Sequence, residues 1–292
     1  MMTEQPYALT LTGANSDIFN LADALGFEAP IQALSVSMFE VDDTSSYVQA
    51  LFESKGEAEA SLNNLTLNDR ISVSLVQLGD EDWVSKSQAG LAPIEAGRFL
   101  IYGEHDANHV DLTHHIGLQI NAGLAFGTGH HGTTAGCLVL FDRLLQQNIL
   151  STHCLDLGCG AGILSIAAAK ILQRSVLATD IDQDAVDVTL ENAVINKVSP
   201  LIDAQRSDGF NNSLFKGRKF DLIFANILAG PLMDLAPEIS DHMSDNGYVI
   251  LSGILKEQKN TVATHFNGHG LDIIDDVPLA EWVSLLGRKS HA

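Results

Sequence analysis

Basic side chains are scarce in this sequence. Sixteen lysines and arginines face 37 aspartates and glutamates over 292 residues, a net charge of −21. Such a surface repels phosphate backbones, so direct nucleic-acid binding is not expected. It attracts a basic protein, and it also keeps a chain soluble. Cysteine is nearly absent: Cys137, Cys154 and Cys159 are odd in number and unevenly spaced. They form neither a disulfide framework nor a C-x-x-C zinc pair, and buried reduced thiols are the expectation. No long apolar run exists either. The most apolar stretch, ILSIAAAKIL, is broken by Lys170 and is far too short to span a bilayer. The opening MMTEQPYALTL carries Glu4 and no basic residue, a poor signal peptide. These absences lead us to expect a cytoplasmic protein without membrane association; a monomer is expected as well.

Two further absences are local. In GLAFGTGHHGTTAGCL, residues 123–138, the segment from Gly127 to Thr134 spells a phosphate-binding loop, G-x-x-x-x-G-T-T, without its lysine. In DLGCGAGIL, Gly158, Gly160 and Gly162 follow a strand and precede a helix. A dinucleotide fingerprint needs glycine at 163, and Ile163 stands there, which counts against a nucleotide-dependent oxidoreductase.

What is present is ordinary for a globular protein: 46% hydrophobic and 18% charged residues, in a chain long enough for two domains. Residues 7–78 read as β-α-β-β-α-β. YALTLTG and RISVSLVQL alternate as strands, and Asn15 or Ser16 caps the helix NSDIFNLADALGF. That order suits a small ferredoxin-like α+β domain over residues 1–78. DEDWVSKSQAGL, residues 80–91, reads as an amphipathic helix within a linker spanning 79–97. In the remainder, 98–292, RFLIYGE and HHIGLQI are strand-like, and TTAGCLVLFDRLLQQN has helical spacing. From His153 onward strands and helices alternate, as in an α/β, doubly wound, Rossmann-like sheet.

The spacing G-x-G-x-G with Asp156 before it resembles motif I of class I S-adenosylmethionine-dependent methyltransferases. Asp180 closes the next strand, SVLATDID, where a carboxylate accepts hydrogen bonds from both ribose hydroxyls. Asp182 is read as the N-cap of QDAVDVTLENA. Asp208, in RSDGF, fits an adenine contact or an Asp-Gly turn equally well. Asn226 ends the fourth strand, FDLIFAN, at the rim where ligands bind in such folds. HDANH, residues 105–109, imitates a zinc-protease motif, but Asp replaces the Glu; a polar loop is expected, and no metal. His114 and His115 are expected on opposite faces of a strand. His130 and His131 fall in the glycine-threonine loop as polar filler or pocket lining.

GLAFGTGHHGTT, DLGCGAGIL, ATDID, ANILAGPL and LSGIL occur in that order. Together they resemble the PrmA family of ribosomal protein methyltransferases over about residues 118–289. The resemblance implies a substrate-recognition domain joined by a flexible linker to a class I methyltransferase domain. It implies S-adenosylmethionine as cofactor, with contacts at Thr134, Gly158, Asp180 and Asn226, and Asn226 at the catalytic centre. It implies transfer of methyl groups to the N-terminal amine and lysine side chains of large-subunit ribosomal protein eleven. Two positions depart from the family pattern: Gly132 and Ala122 stand where proline is common. The missing lysine then has a physical reason. The donor carries no phosphate, its sulfur is cationic, and its carboxylate suits a helix N-terminus with a hydroxyl, which Thr133 and Thr134 provide. Alternatives are a class I methyltransferase for another protein or a small-molecule amine, and a binding protein that has kept the fold.

Overall fold

The computed structural model describes residues 6–25, 33, 35–42, 44–77, 93–121, 132–149 and 151–290. The expected linker helix, Trp83 and the loop holding His130 and His131 lie outside these residues. The chain divides into two compact units, Met1–Gly90 and Leu91–Ala292.

The first unit follows the order read from the sequence. Its elements are β1 (Tyr7–Ala14), α1 (Asn15–Asp23), β2 (Ser35–Asp42), β3 (Ser45–Phe52), α2 (Lys55–Asn63) and β4 (Ser72–Gln77). The strands form one antiparallel sheet in the order β2-β3-β1-β4, the ferredoxin-like arrangement. Strict alternation in β3 explains its two faces: Val48, Ala50 and Phe52 are buried, and each neighbour between them is only half-buried. These side chains meet Leu9 and Leu11 of β1 and Ile18, Leu21 and Leu25 beside them. Helix α2 starts at a capping box. Ser54 Oγ accepts the Glu57 N–H at 3.3 Å, and the Glu57 carboxylate accepts the Ser54 N–H at 3.1 Å.

The second unit opens with a three-stranded sheet, β5 (Ile94–Ala96), β6 (Phe99–Tyr102) and β7 (Ile116–Gln119). Strand β7 begins at Ile116, so His114 and His115 occupy a bend before it and not two faces of a strand. HDANH forms a short turn around Glu104–Asp106, and no group of three metal-type side chains exists among the described residues. Helix α3 (Gly132–Gln146) follows. Then come β8 (Cys154–Leu157), α4 (Ile163–Leu172), β9 (Val176–Asp180), α5 (Gln183–Ile195), β10 (Ile202–Arg206) and β11 (Phe220–Asn226). Helices α6 (Ala229–Asp234) and α7 (Ala236–His242), strand β12 (Met243–Leu255), helix α8 (Lys259–Gly268) and the hairpin β13 (Leu271–Leu279) and β14 (Trp282–Lys289) complete it.

The seven strands from β8 onward form one sheet, ordered β10-β9-β8-β11-β12-β14-β13. Six point the same way, five of them paired parallel, and β14 is antiparallel to both its neighbours. Both faces are covered, which is why the strands read as continuous apolar runs. In β11, Leu222 and Phe224 face one layer with α3, α4 and α5, while Ile223 and Ala225 face the other with α6, α7 and α8. All three cysteines are buried free thiols. Burial pushes Cys137 and Cys154 up to about 12 and raises Cys159 as well. No helix among the described residues is long and apolar enough to cross a membrane.

Phe141 of α3 knits the second unit together. It is 1% exposed, stacks on Phe99 of β6 at 5.9 Å and meets Phe224 of β11 edge-on at 5.3 Å. Phe141→Ala is expected to cost about 3–5 kcal/mol, read from urea denaturation of the full chain.

Candidate functional site

The order of the large sheet reverses between β8 and β11, because β8 leads outward to β9 and β11 to β12. A crevice opens outside the carboxyl ends of the strands at such a point. The glycine turn follows β8 directly. Gly158 and Cys159 donate their N–H groups to the Thr179 carbonyl at 2.8 and 3.0 Å, which folds the turn against the end of β9. Gly158 has φ +73°, and a Cβ there would stand 2.5 Å from Ile227 Cγ2. Gly253 in β12 is the counterpart: at φ +80°, its Cβ would overlap the Ile227 carbonyl. The residue after Asn226 is thus held between two positions that only glycine fills.

Asp180 ends β9 and is half-buried. One carboxylate oxygen accepts the Gly160 N–H at 2.9 Å and the other the Asp182 N–H at 3.0 Å. The carboxylate therefore spans the two loops. It has lone pairs to spare, since a carboxylate offers about four acceptor sites. Asp182 caps α5 as its spacing suggests, accepting the Asp184 N–H at 3.0 Å. Between them Ile181 is 61% exposed, an apolar side chain at the rim of a polar crevice. Asp208 is exposed, in the Asp-Gly turn after β10.

Asn226 and Thr134 are brought together from 92 positions apart. Asn226 Nδ2 donates to Thr134 Oγ1 at 3.2 Å. Thr133 and Thr134 are buried in the first turn of α3, where main-chain N–H groups have no partner within the helix. A serine pair fixes that turn. Ser252 of β12 and Ser284 of β14 are both buried and bonded to each other at 2.7 Å, so one hydroxyl donates to the other and the second donates to the Thr133 carbonyl, which lies 3.1 Å from Ser252 Oγ and 3.3 Å from Ser284 Oγ. Ser252 lies within the motif LSGIL, but neither serine announces this role in the sequence, because one small hydroxyl inside an apolar strand reads as filler. The four residues expected at the cofactor thus cluster around two contacts. Thr134 meets Asn226, and Asp180 closes the glycine turn that begins at Gly158.

A family model for ribosomal protein L11 methyltransferase, PrmA, matches residues 6–290. The chain belongs to this family. The ribosomal protein L11 methyltransferase of Rhodopseudomonas palustris strain BisB5 is 38% identical over 283 residues, covering 96% of this chain and 92% of that protein. The corresponding protein of Agrobacterium fabrum strain C58 is 45% identical over 211 residues, 72% of each chain. A crystal structure of ribosomal protein L11 methylase from Lactobacillus delbrueckii subsp. bulgaricus aligns with a TM-score of 0.62 at 30% identity. It covers 69% of this chain and 100% of the other. The fold is therefore that of a class I methyltransferase, preceded by a small ferredoxin-like domain.

In this PrmA-family chain one acid lies beneath the site. Asp156, 1% exposed, accepts the Ser165 N–H at 2.9 Å. Burial raises its carboxyl to about 6, Ser165 opposes the shift, and the negative charge of Asp180 adds to it. The folded protein binds this proton more tightly than the unfolded chain. The resulting stability is whole below 3.8 and is lost as pH rises through about 6. Asp156→Asn stays neutral at every pH while keeping an acceptor for Ser165. The variant is expected to gain on the wild type as pH rises, by about 3 kcal/mol in total and about 1 kcal/mol between pH 5 and 7. Urea midpoints across that interval measure it.

Proposed function

We propose that this protein transfers methyl groups from S-adenosylmethionine to ribosomal protein L11, at lysine side-chain and N-terminal amines, in the cytoplasm. The observation that carries the reading is the Asn226–Thr134 hydrogen bond at the switch point of the sheet. Donation by the amide N–H leaves Asn226 Oδ1 without a partner among the described residues. It also leaves the threonine O–H free to donate. One contact thereby prepares an acceptor and a donor on adjacent groups.

The residues present suit the cofactor. Thr134 and the free N–H groups of the first turn of α3 favour its carboxylate. Asp180, bonded only to main-chain N–H groups among the described residues, keeps lone pairs for the ribose hydroxyls. Gly158 lets backbone approach the ligand closely. Ile181 offers the base an apolar surface. When bound, the cofactor supplies a methyl carbon already activated by a sulfonium.

The chain's own task is positioning. The amine must be neutral to react, yet a free lysine has a pKa of about 10.4 and an N-terminal amine about 8. Enclosure beside a cation lowers either value. Asn226 Oδ1 accepts a hydrogen bond from the amine and aims its lone pair, which is worth much of the rate. No strong base is required. Residues 1–78 serve as the recognition domain in this reading, the linker begins at 79, and the transferase is the second unit from Leu91, which takes in strand β5 (Ile94–Ala96) that the sequence alone places in the linker. An acidic surface favours a basic protein substrate.

Asn226→Ala is expected to lower turnover by about 100-fold or more with an unchanged thermal midpoint; wild-type turnover would sink the assignment. Thr134→Val removes both the donor for the cofactor and the acceptor that orients Asn226. Its cofactor Kd is expected to rise by about tenfold, read by calorimetry. The substrate assignment is checked by incubating the protein and S-adenosylmethionine with a lysate lacking the activity. Mass spectrometry should then find the added methyl groups on ribosomal protein L11 and not on another protein.

A further inference from the structure

Helix α5 turns a polar face inward. Thr189, Asn192 and Asn196, the last at the helix cap, lie one turn apart and are 0%, 0% and 7% exposed. An inward stripe at that spacing is normally apolar, and every buried polar group is costly unless bonded. Here the bonds go to the backbone that brackets the site. Asn192 Oδ1 accepts the Asn121 N–H at 2.9 Å, and its Nδ2 donates to the Ala161 carbonyl at 2.9 Å. Thr189 Oγ1 donates to the Gly160 carbonyl at 2.9 Å. Asn121 directly precedes the segment that leads to Thr134, and Ala161 lies within the glycine turn. A single planar amide therefore spans the chain that leads to Thr134 and the glycine turn, two pieces both assigned to the cofactor site.

We propose that Asn192 is a positioning residue for cofactor binding: its amide sets the spacing between the strand entering the threonine loop and the glycine turn, so that the two move as one. The inference rests on the functional reading above. Asparagine suits the task because donor and acceptor share one rigid plane. Aspartate keeps the acceptor for Asn121 but turns an oxygen on the Ala161 carbonyl. Serine is too short to reach both partners. Asn196 supplies a control within the same helix. It accepts the Gln119 N–H at 3.1 Å and donates to the Gln119 carbonyl at 2.6 Å, so it grips the same strand. It has no bond to the glycine turn among the described residues.

The test is calorimetry of the full chain with S-adenosylmethionine and S-adenosylhomocysteine, with thermal midpoints measured alongside. Asn192→Asp and Asn192→Ser should raise Kd by about tenfold or more. Asn196→Asp should change it by less than about threefold for a similar drop in midpoint. An unchanged Kd in the Asn192 variants, or an equal rise at both positions, overturns the proposal. Hydrogen exchange on the wild type tests it without any substitution. Cofactor should protect the amides of Asn121 and Gly160 together, and protection of one alone overturns it. A wild-type chain that binds neither compound overturns the functional reading and this inference with it. Binding by the wild type with insensitive variants removes the inference alone.

Discussion

A buried carbonyl governs the arrangement of this protein's rim. Thr133 O meets a bonded pair of serine hydroxyls from different strands of the large sheet, one of which donates to it, and these serines fix the first turn of α3 over the strand ends. Without them the helix start would rest more heavily on apolar packing, which tolerates sliding. With them Thr134 is delivered to Asn226. The two glycine positions that flank Ile227 complete the constraint from below, because Asn226 cannot shift while its successor is wedged. Site geometry here depends on hydroxyls and missing side chains more than on charge.

Much of this was legible in the sequence where the signal is local. Alternation in SYVQALFES and the apolar runs of FDLIFAN and GYVILSGIL reflect what each strand faces within its own few residues. The cap at Asp182 is equally local, since its partner is two residues away. The spacing of Gly158, Gly160 and Gly162 separated this turn from a dinucleotide loop, because backbone conformation is written into glycine positions.

The rest is hidden for a physical reason. Ser252 and Ser284 bond to a carbonyl 119 and 151 positions away, and nothing near either residue announces it. Asn192 reads as one polar residue in an amphipathic helix, and only the tertiary arrangement shows that it points inward. The reading of His114 and His115 as strand residues failed because the sequence HHIGLQI does not mark where pairing begins. Pairing starts at Ile116 opposite Phe99, and the histidines precede that register.

The hairpin that ends the large sheet has a consequence for the order in which the rim can form. Ser284 arrives on β14, the last strand described, inserted antiparallel beside β12. Every other part of the rim is made earlier, yet the helix start is not fully held until this strand is in place. The residues before β14 therefore cannot finish the rim by themselves, and the site forms only when the terminal hairpin of the sheet docks.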